Sequence, residues 1–322
     1  MFAMLSGGFP RVTPDGVPID DLGAADADAA VERLVGDLVA AQEAAGVGLV
    51  RDGDVRWRDP LGTVLDSLAA GARQEDGPLL RAWRATSVLT GLPVAQALPG
   101  PWTLSVRDVG GWGDAGVVTG RAGELADALA DEVAALAAAG CPVIVVVEPA
   151  AVTLGDDPAL RSGFLRAQRR LLARAPEAHA MLSITGGSAH LAGPEPFFEA
   201  PYRSYLFDLV AGPDNWYLVR SAPGDRGIVC AALRAGTPKR SDDQAPLLSW
   251  AAHYAASSNG RGLERVGIAN ATRLDRLDLD AATRALDDLG RAAALAALPA
   301  KEAVDLGMDP RAIVARGGRR AR

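Results

Sequence analysis

The sequence predicts an α/β protein, a single (β/α)8 TIM barrel that spans residues 1–300. Strand-like apolar segments alternate with helix-like segments along the chain, and about eight strand candidates can be counted, as a closed barrel requires. The run from Val143 to Val147 is β-branched throughout, which is typical of a parallel strand buried on both faces. A chain of 322 residues is long enough to bury the large core of such a barrel.

The first elements set the pattern of strand, loop and helix. A short opening strand is followed by Gly7-Gly8-Phe9-Pro10, where the glycines let a ligand approach the backbone closely. The first predicted helix, Ala25–Ala45, carries apolar residues at helical spacing and ends at Gly46. Strands are predicted at Phe2–Leu5, Val47–Val50, Val94–Leu98, Val143–Val147, Ala178–Ser183, Tyr205–Val210, Gly227–Ala232 and Arg265–Ala269.

The other predicted helices lie between these strands, at Leu61–Ala72, Pro78–Thr90, Ala122–Ala139, Pro158–Ala175, Ala245–Ser257 and Asp280–Leu298, the last of which would close the barrel. Trp216–Arg220 is interpreted as an extra strand or hairpin, and Pro99–Trp102 as a loop. Residues 301–322 are predicted to form a partly disordered C-terminal extension that ends in a basic tail.

Composition excludes several classes of protein. The net charge is −7 and the arginines are scattered, so no basic stripe indicates a nucleic-acid partner. Cys141 and Cys230 lie in predicted buried strands, which argues against a disulfide framework and favours a reducing cytoplasm. No apolar run approaches the roughly 20 residues that span a bilayer, so no membrane association is expected. A Walker-type phosphate loop and a nucleophile elbow are also absent from the sequence.

Glu148 is the first candidate for a catalytic role, because the Val143–Val147 strand leads directly into it. The carboxyl ends of barrel strands are where substrates bind. We therefore expect Glu148 to be a substrate anchor or general base. The alternative is a supporting carboxylate paired with an arginine such as Arg56.

Two further residues are candidates for catalysis. His179 lies in an apolar strand, where it is either a satisfied core residue or a group with a pKa suited to proton transfer. Asp208 lies in a segment that should be buried, so its carboxylate needs a partner. We predict that His179 is this partner and that the pair performs acid–base work without a metal.

The predicted substrate-binding residues are each open to a simpler interpretation. Asp54 and Arg56 would clamp a polar substrate or form a solvated loop. Trp102 would stack on a flat ligand such as a pterin or simply pack in the core. Asn270 would donate to a substrate or cap a turn. The set is completed by Phe9 in the opening turn.

Four motifs, in order, resemble the C-terminal catalytic barrel of cobalamin-independent methionine synthase, within the superfamily that also contains uroporphyrinogen decarboxylase. Gly7-Gly8-Phe9-Pro10 is similar to the family's G-S-F/Y-P, and residues 41–56 are similar to its Q-E-x-x-G-x-D-x-x-x-x-G-E-x-x-R. Residues 98–104 resemble L-x-G-P-V-T, and residues 139–150 resemble A-G-x-x-x-I-Q-x-D-E-P-A. The resemblance covers nearly the whole chain.

The resemblance implies a zinc-dependent transferase that moves a methyl group from a folate to a thiolate. The family's metal ligands correspond to His179, Met181, Asp208 and Ala271, so both of its cysteine ligands are missing. A thioether binds zinc poorly, and we therefore assign no metal ligand. The amino-acid pocket also differs, because Val147 replaces the acid before Glu-Pro-Ala and the loop glutamate is the shorter Asp54.

Three functions follow as hypotheses. The first is a methionine-synthase-like methyl or alkyl transferase, which acts on a thiol or related nucleophile with a 5-methyltetrahydrofolate-type or other donor and without cysteine-ligated zinc. The second is a metal-independent lyase or decarboxylase resembling uroporphyrinogen decarboxylase. The third is a non-catalytic binding subunit. A small-molecule substrate is expected, with a partner protein or homo-oligomer as a further prediction.

Overall fold

The computed structural model describes residues 1–70, 77–236, 244–298 and 302, so nearly all of the predicted C-terminal extension, 301–322, lies outside the described residues. In the described part, seven parallel strands form one sheet with the spatial order β1-β7-β6-β5-β4-β3-β2. The strands are β1 (Phe2–Met4), β2 (Ala95–Pro99), β3 (Val143–Val147), β4 (Ala180–Ile184), β5 (Ser204–Asp208), β6 (Gly227–Leu233) and β7 (Val266–Asn270).

The sheet curls so that its two edge strands approach the same short segment. Leu49 makes a parallel bridge with Met4 of β1, and Val50 makes one with Val94, directly before β2. The predicted strand Val47–Val50 is thus reduced to two single-residue bridges. It ends at Val50 because the Gln42 side chain bonds both backbone groups of Arg51, accepting from its N–H at 3.1 Å and donating to its carbonyl at 2.7 Å.

Helices lie between the strands, and all seven predicted helices are present, Ala245–Ser257 with the predicted ends and the others with one or both ends shifted. The described helices are α1 (Ala24–Ala45), α2 (Pro60–Ala69), α3 (Pro78–Ser87), α4 (Pro101–Asp108), α5 (Ala115–Ala138), α6 (Pro158–Leu172), α7 (Glu195–Phe198), α8 (Trp216–Ser221), α9 (Ala245–Ser257) and α10 (Leu279–Ala297). The earlier start of α5 has a simple cause, because the Asp114 side chain caps the backbone N–H groups of Gly116 and Val117.

Two segments differ from the sequence-based expectation. The interpretation of Trp216–Arg220 as a strand or hairpin is wrong, because this segment forms helix α8, which buries Leu218 and Val219 and exposes Tyr217. The predicted loop around Trp102 is the start of helix α4, in which Pro101 takes the first helical position. Proline suits that position because its missing N–H would have no helical partner there.

A second, smaller apolar cluster lies on the inner face of the curled sheet, apart from the core between sheet and helices. Its buried members are Met4, Leu49, Ala95, Ala97, Val145, Met181, Leu206, Val229, Ala231 and Ala269. Side chains alternate along a strand, so residues an even number of positions from these also face inward. In β4 this places Ser183 inward at the carboxyl end of the sheet. Within the described residues, no helix is both long and apolar enough to cross a membrane.

Candidate functional site

The carboxyl ends of the strands surround a small cavity of about 50 Å³, the mouth cavity. Its polar lining combines two guanidinium groups with three hydroxyl groups, and its apolar lining comes from the inner face of the sheet. The lining residues are Met4, Ser6, Gly7, Arg51, Val145, Val147, Ser183, Thr185, Leu206, Ala271 and Arg273. This is the edge at which α/β barrels place their binding sites.

Arg51 is the most unusual group at the mouth cavity, because its side chain is only 2% exposed. Its Nη2 donates to Asp54 Oδ1 at 2.8 Å, and its Nη1 donates to the Leu5 carbonyl at 3.3 Å. Its Nε has no hydrogen-bond partner among the described residues. A buried polar group without a partner carries a large desolvation cost, so an acceptor for this N–H would stabilise the site.

The loop after Arg51 is held in an uncommon backbone conformation. Gly53 has φ 65° and Asp54 has φ 55°, both in the left-handed region that non-glycine residues seldom adopt. The Asp52 side chain accepts from the Asp54 N–H at 3.0 Å, which stabilises the turn. Burial, with the Asp54 charge as a second cause, raises the pKa of Asp52 to about 6. The loop therefore holds the Asp54 carboxylate against Arg51 and stores some backbone strain.

Arg273 is the second cation of the mouth cavity and is far more accessible, with 63% of its side chain exposed. Its Nε donates to Asp275 Oδ1 at 3.1 Å and its Nη2 to Asp275 Oδ2 at 2.5 Å. This bidentate pair fixes the plane of the guanidinium group. One buried and one exposed arginine thus face the same cavity, each oriented by an aspartate.

Glu148 does not line the mouth cavity. It is fully buried, and both of its carboxylate oxygens are occupied. Oε1 accepts from the Trp102 N–H at 3.0 Å and from Gln168 Nε2 at 2.7 Å, while Oε2 accepts from the Thr103 N–H at 2.8 Å and the Thr103 hydroxyl at 2.7 Å. Burial raises the pKa of Glu148, and these hydrogen bonds oppose the rise. Glu148 therefore caps the start of α4, and Arg56 is not its partner.

His179 and Asp208, predicted to form a pair, lie at opposite ends of the sheet. His179 precedes β4, where its Nε2 is 2.9 Å from Ser204 Oγ, and Asp208 is the last residue of β5. In the register of these strands the two are about 20 Å apart along the strand direction, at 3.3 Å per residue. The predicted pairing is wrong because the register of β4 and β5 places Asp208 opposite Thr185, six residues after His179.

Asp208 has backbone partners instead of a histidine. Its Oδ1 accepts from the N–H groups of Val210 and Ala211 at 2.9 and 2.8 Å, and its Oδ2 accepts from the Gly186 N–H at 3.0 Å. The carboxylate thereby joins the loops that follow β4 and β5. These loops form one side of the sheet's carboxyl edge, so Asp208 supports the site without lining its cavity.

Asn270 performs a similar function between β7 and β1. Its Oδ1 accepts from the Ser6 N–H at 2.8 Å, and its Nδ2 donates to the carbonyls of Ser6 at 2.8 Å and Thr272 at 2.9 Å. All three side-chain bonds go to backbone groups, and the residue is 1% exposed. Asn270 positions Ser6, which does line the mouth cavity.

The other predicted substrate-binding residues also lie outside the mouth cavity. Trp102 is fully buried against Trp112 and Phe164. Phe9 is 3% exposed, and its N–H donates to the Gly53 carbonyl at 2.8 Å. Arg56 points toward the helices: it pairs with Glu32 of α1 and lies 3.7 Å from Asp52. Asp54 is therefore not clamped with Arg56, and it reaches the mouth cavity only through Arg51.

The described residues do not fit the zinc that the family resemblance implies. They contain no group of three or more histidine, cysteine or acidic side chains arranged to hold a metal. Met181 is buried inside the curled sheet, and Ala271 offers no ligand atom. The cysteines do not replace them, because both are free and buried, and burial raises the pKa of Cys141 to about 11.

Several mouth-cavity residues were not among the sequence-based candidates. Arg51 directly follows the Val47–Val50 segment, as Glu148 follows Val147, so its position at a strand end was a usable signal. Arg273 lies three residues beyond the end of β7. Ser183 and Thr185 carried no signal in the sequence, because small hydroxyl residues are common and only the register of β4 shows that they face the cavity.

Neither protein-family models nor curated proteins give a match to this sequence. Comparison with solved structures does give matches. A B12-independent methionine synthase from Shewanella sp. W3-18-1, in complex with selenomethionine, has a TM-score of 0.68 at 15% identity, covering 91% of this chain and 96% of that chain. A protein described as a vitamin-B12-independent methionine synthase from Listeria monocytogenes has a TM-score of 0.66 at 15% identity, covering 91% and 97%.

A third similar structure is a methyltransferase from Methanosarcina mazei, with a TM-score of 0.58 at 12% identity, covering 92% of this chain and 93% of that chain. At these identities the likeness establishes the fold. The chain has the α/β architecture of TIM-barrel methyltransferases, with a curled parallel sheet of seven strands in the described residues.

Proposed function

We propose that this protein is a methionine-synthase-like methyl or alkyl transferase whose substrate carboxylate is held in the mouth cavity by Arg51 and Arg273. The buried Arg51 carries the proposal, because its Nε lacks a hydrogen-bond partner among the described residues and a carboxylate would supply one. The Shewanella structure supports it, since that protein was solved with an amino acid that bears a carboxylate.

The acceptor in this proposal is a thiol or a related nucleophile, and the donor is a 5-methyltetrahydrofolate-type compound or another methyl donor. Methylation of sulfur proceeds through the thiolate, whose formation is favoured by nearby positive charge. Arg51 and Arg273 are the cationic side chains at the mouth cavity, and each already shares its charge with an aspartate. The reaction is accordingly proposed to need neither cobalamin nor cysteine-ligated zinc, and to take place in the cytoplasm.

The proposed architecture is a closed barrel of eight strands. Leu49 and Val50 connect the two edges of the described sheet through their bridges to Met4 and Val94. When Leu49 and Val50 are counted as the eighth strand, the mouth cavity is enclosed by strands on all sides. Arg51 then follows the second strand, at the same edge of the barrel as the loop after β3.

A second candidate function is a metal-independent lyase or decarboxylase that acts on a carboxylic acid. Its supporting observation is the combination of two arginines at the mouth cavity with no metal-ligand cluster among the described residues. Arginine recognises carboxylates in either reaction class, so binding alone does not separate the two. Product analysis does, because a transferase methylates an acceptor and a decarboxylase releases carbon dioxide.

The test combines ligand binding with product analysis. Purified protein is titrated by calorimetry with methionine, selenomethionine, homocysteine and 5-methyltetrahydrofolate, with zinc and with excess chelator. We expect binding of a carboxylate-bearing amino acid and methyl transfer that survives the chelator. Methylation that depends on stoichiometric zinc would overturn the metal-free mechanism. Failure of all these ligands to bind would favour a non-catalytic subunit.

Arginine variants test the site itself. Arg273→Met removes an exposed guanidinium, so the fold should be retained while the affinity for the carboxylate falls by about tenfold, as expected for loss of one charged hydrogen-bonding group. Arg51→Met should reduce affinity further. The matched control is Arg58→Met, since the Arg58 side chain is 79% exposed and is not part of the mouth cavity. Equal affinity in Arg273→Met and Arg58→Met would contradict the proposed site.

A further inference from the structure

A larger cavity lies at the opposite end of the sheet, around the amino ends of the strands. This amino-end cavity measures about 690 Å³, within the 300–1,000 Å³ typical of small-molecule sites. Residues from β1, β3, β4, β5 and β6 line it, together with segments that precede β2 and β7. The two cavities share no lining residue, and along β1, β3, β4 and β5 their linings lie two residues apart, about 7 Å.

The floor of the amino-end cavity is apolar. Phe2, Leu49, Val143, Met181 and Val229 line it, and all five belong to the apolar cluster inside the curled sheet or pack against it. Phe2 and Val143 are partly exposed, whereas Leu49, Met181 and Val229 are buried beneath them. Covering the exposed apolar surface with an apolar group contributes about 25 cal/mol per Å². The floor therefore suits the hydrocarbon part of a ligand.

The rim of the amino-end cavity is polar and rich in arginine. Three arginines line it, each beside an acidic residue: Arg203 pairs with Glu177, Arg226 with Asp225 and Arg265 with Glu264. His179 and Ser204 form a hydrogen-bonded pair at the same rim. Desolvation and the nearby Arg203 lower the pKa of His179, so at neutral pH the imidazole adds no charge of its own.

Two of these arginines retain unused donors. Arg226 Nη1 donates to the Tyr202 carbonyl at 2.6 Å, and its Nε lies 3.6 Å from Asp225 without a hydrogen bond. Arg265 uses Nη1 alone, which donates to the Arg261 carbonyl and to Glu264 at 3.0 Å. Among the described residues, the remaining guanidinium N–H groups of these two side chains have no acceptor. An anionic head group would provide one.

We infer that the amino-end cavity binds a small amphipathic carboxylic acid, with its hydrocarbon chain on the Met181 floor and its carboxylate at the rim beside Arg226, Arg265 and the His179–Ser204 pair. The site is separate from the mouth cavity and does not depend on the proposed transferase function. A neutral alcohol of equal length would fill the same floor without reaching the charges. A cation of equal length would be repelled by the rim.

The experiment uses octanoate as the probe, with octan-1-ol and octyltrimethylammonium as matched neutral and cationic controls. The chain has three histidines, His179, His190 and His253, so their imidazole NMR signals report the location of binding directly. We expect octanoate to shift the His179 signals alone and to bind at least tenfold more tightly than octan-1-ol. Unchanged His179 signals at saturating octanoate, or equal affinity for acid and alcohol, would overturn the inference.

Variants separate the head-group and chain contacts. Arg226→Met should weaken octanoate binding at least fivefold and leave the affinity for octan-1-ol unchanged, with Arg169→Met, an exposed arginine of α6, as the control. Because Arg226→Met also loses the bond to Tyr202 and could affect folding, a second variant, Val143→Phe, places a larger side chain in the open floor. It should weaken octanoate and octan-1-ol alike. Wild-type affinity in both variants would contradict the site.

Discussion

The buried cap formed by Glu148 leads to the most specific prediction about stability. Glu148→Gln keeps the size of the side chain but replaces one acceptor oxygen with an amide nitrogen, which only donates. Each carboxylate oxygen accepts two hydrogen bonds, so either orientation of the glutamine leaves two donors facing the amide nitrogen. The Glu148→Gln variant should therefore lose free energy of unfolding.

The magnitude follows from the contacts. Two hydrogen bonds to a charged acceptor contribute about 1.5–3 kcal/mol each, so their loss costs about 3–6 kcal/mol. Removing a buried charge offsets part of this cost, consistent with the pKa of Glu148 being raised by burial. The expected net decrease in the free energy of unfolding is about 2–4 kcal/mol at pH 7.

The assay is urea denaturation followed by circular dichroism, with ligand binding at the mouth cavity measured under native conditions. The control is Glu199→Gln, whose exposed ion pair with Arg169 should contribute less than about 1 kcal/mol. A Glu148→Gln protein within about 0.5 kcal/mol of wild type would refute the cap. So would a fully stable variant that had lost its ligand or its activity, since this would assign Glu148 to the reaction.

Three further predictions concern the support of the site. Asp52→Asn should flatten the pH dependence of stability, because the folded-state pKa of Asp52, about 6, exceeds the ordinary 3.8, so its carboxyl stabilises the fold fully below pH 3.8 and loses that effect as the pH rises through 6. In urea titrations at pH 4.5 and 7.5, the free energy of unfolding of the wild type should change between the two pH values by about 1–3 kcal/mol more than that of the variant. Equal changes in the two proteins would contradict this. Gly100→Ala should destabilise the protein by about 1–3 kcal/mol in thermal melts, because the new Cβ would lie 2.1 Å from the carboxyl carbon of the buried Glu148. Gly120→Ala, at an exposed position of α5, should stabilise it by about 0.5–1 kcal/mol. Equal melting temperatures of the two variants would count against the close approach at Gly100. Asn270→Ala should cost about 2–4 kcal/mol in chemical denaturation by leaving buried backbone groups at the end of β1 unpaired, and a loss below 0.5 kcal/mol would show that water replaces the amide.

The sequence predicted the order of elements well, because apolar periodicity reports burial directly. Val143–Val147 is a strand with the predicted ends, and Ala245–Ser257 is a helix with the predicted ends. The α/β fold and the parallel sheet follow from that alternation. The segment Trp216–Arg220 was misassigned because five residues with mixed aromatic and apolar side chains fit either period.

The candidate site was harder to predict, because it depends on strand ends and side-chain directions. The register of β4 against β5 leaves His179 at the amino end of the sheet and Asp208 at the carboxyl end, about six residues apart. Glu148 was expected in a cavity because it directly follows the Val143–Val147 strand, at the edge where barrels bind substrates. In fact the backbone N–H groups at the start of α4 take up its carboxylate. Pairwise geometry of this kind is not visible in composition or spacing.

The central claim is that the mouth cavity holds a substrate carboxylate through arginine without a metal. A crystal structure of the protein with selenomethionine, whose selenium gives an anomalous signal, tests this claim most directly. The account predicts the selenium at the mouth cavity and the carboxylate within hydrogen-bonding distance of Arg51 or Arg273. A carboxylate bound away from both arginines, or a selenium coordinated to a metal ion, would contradict it.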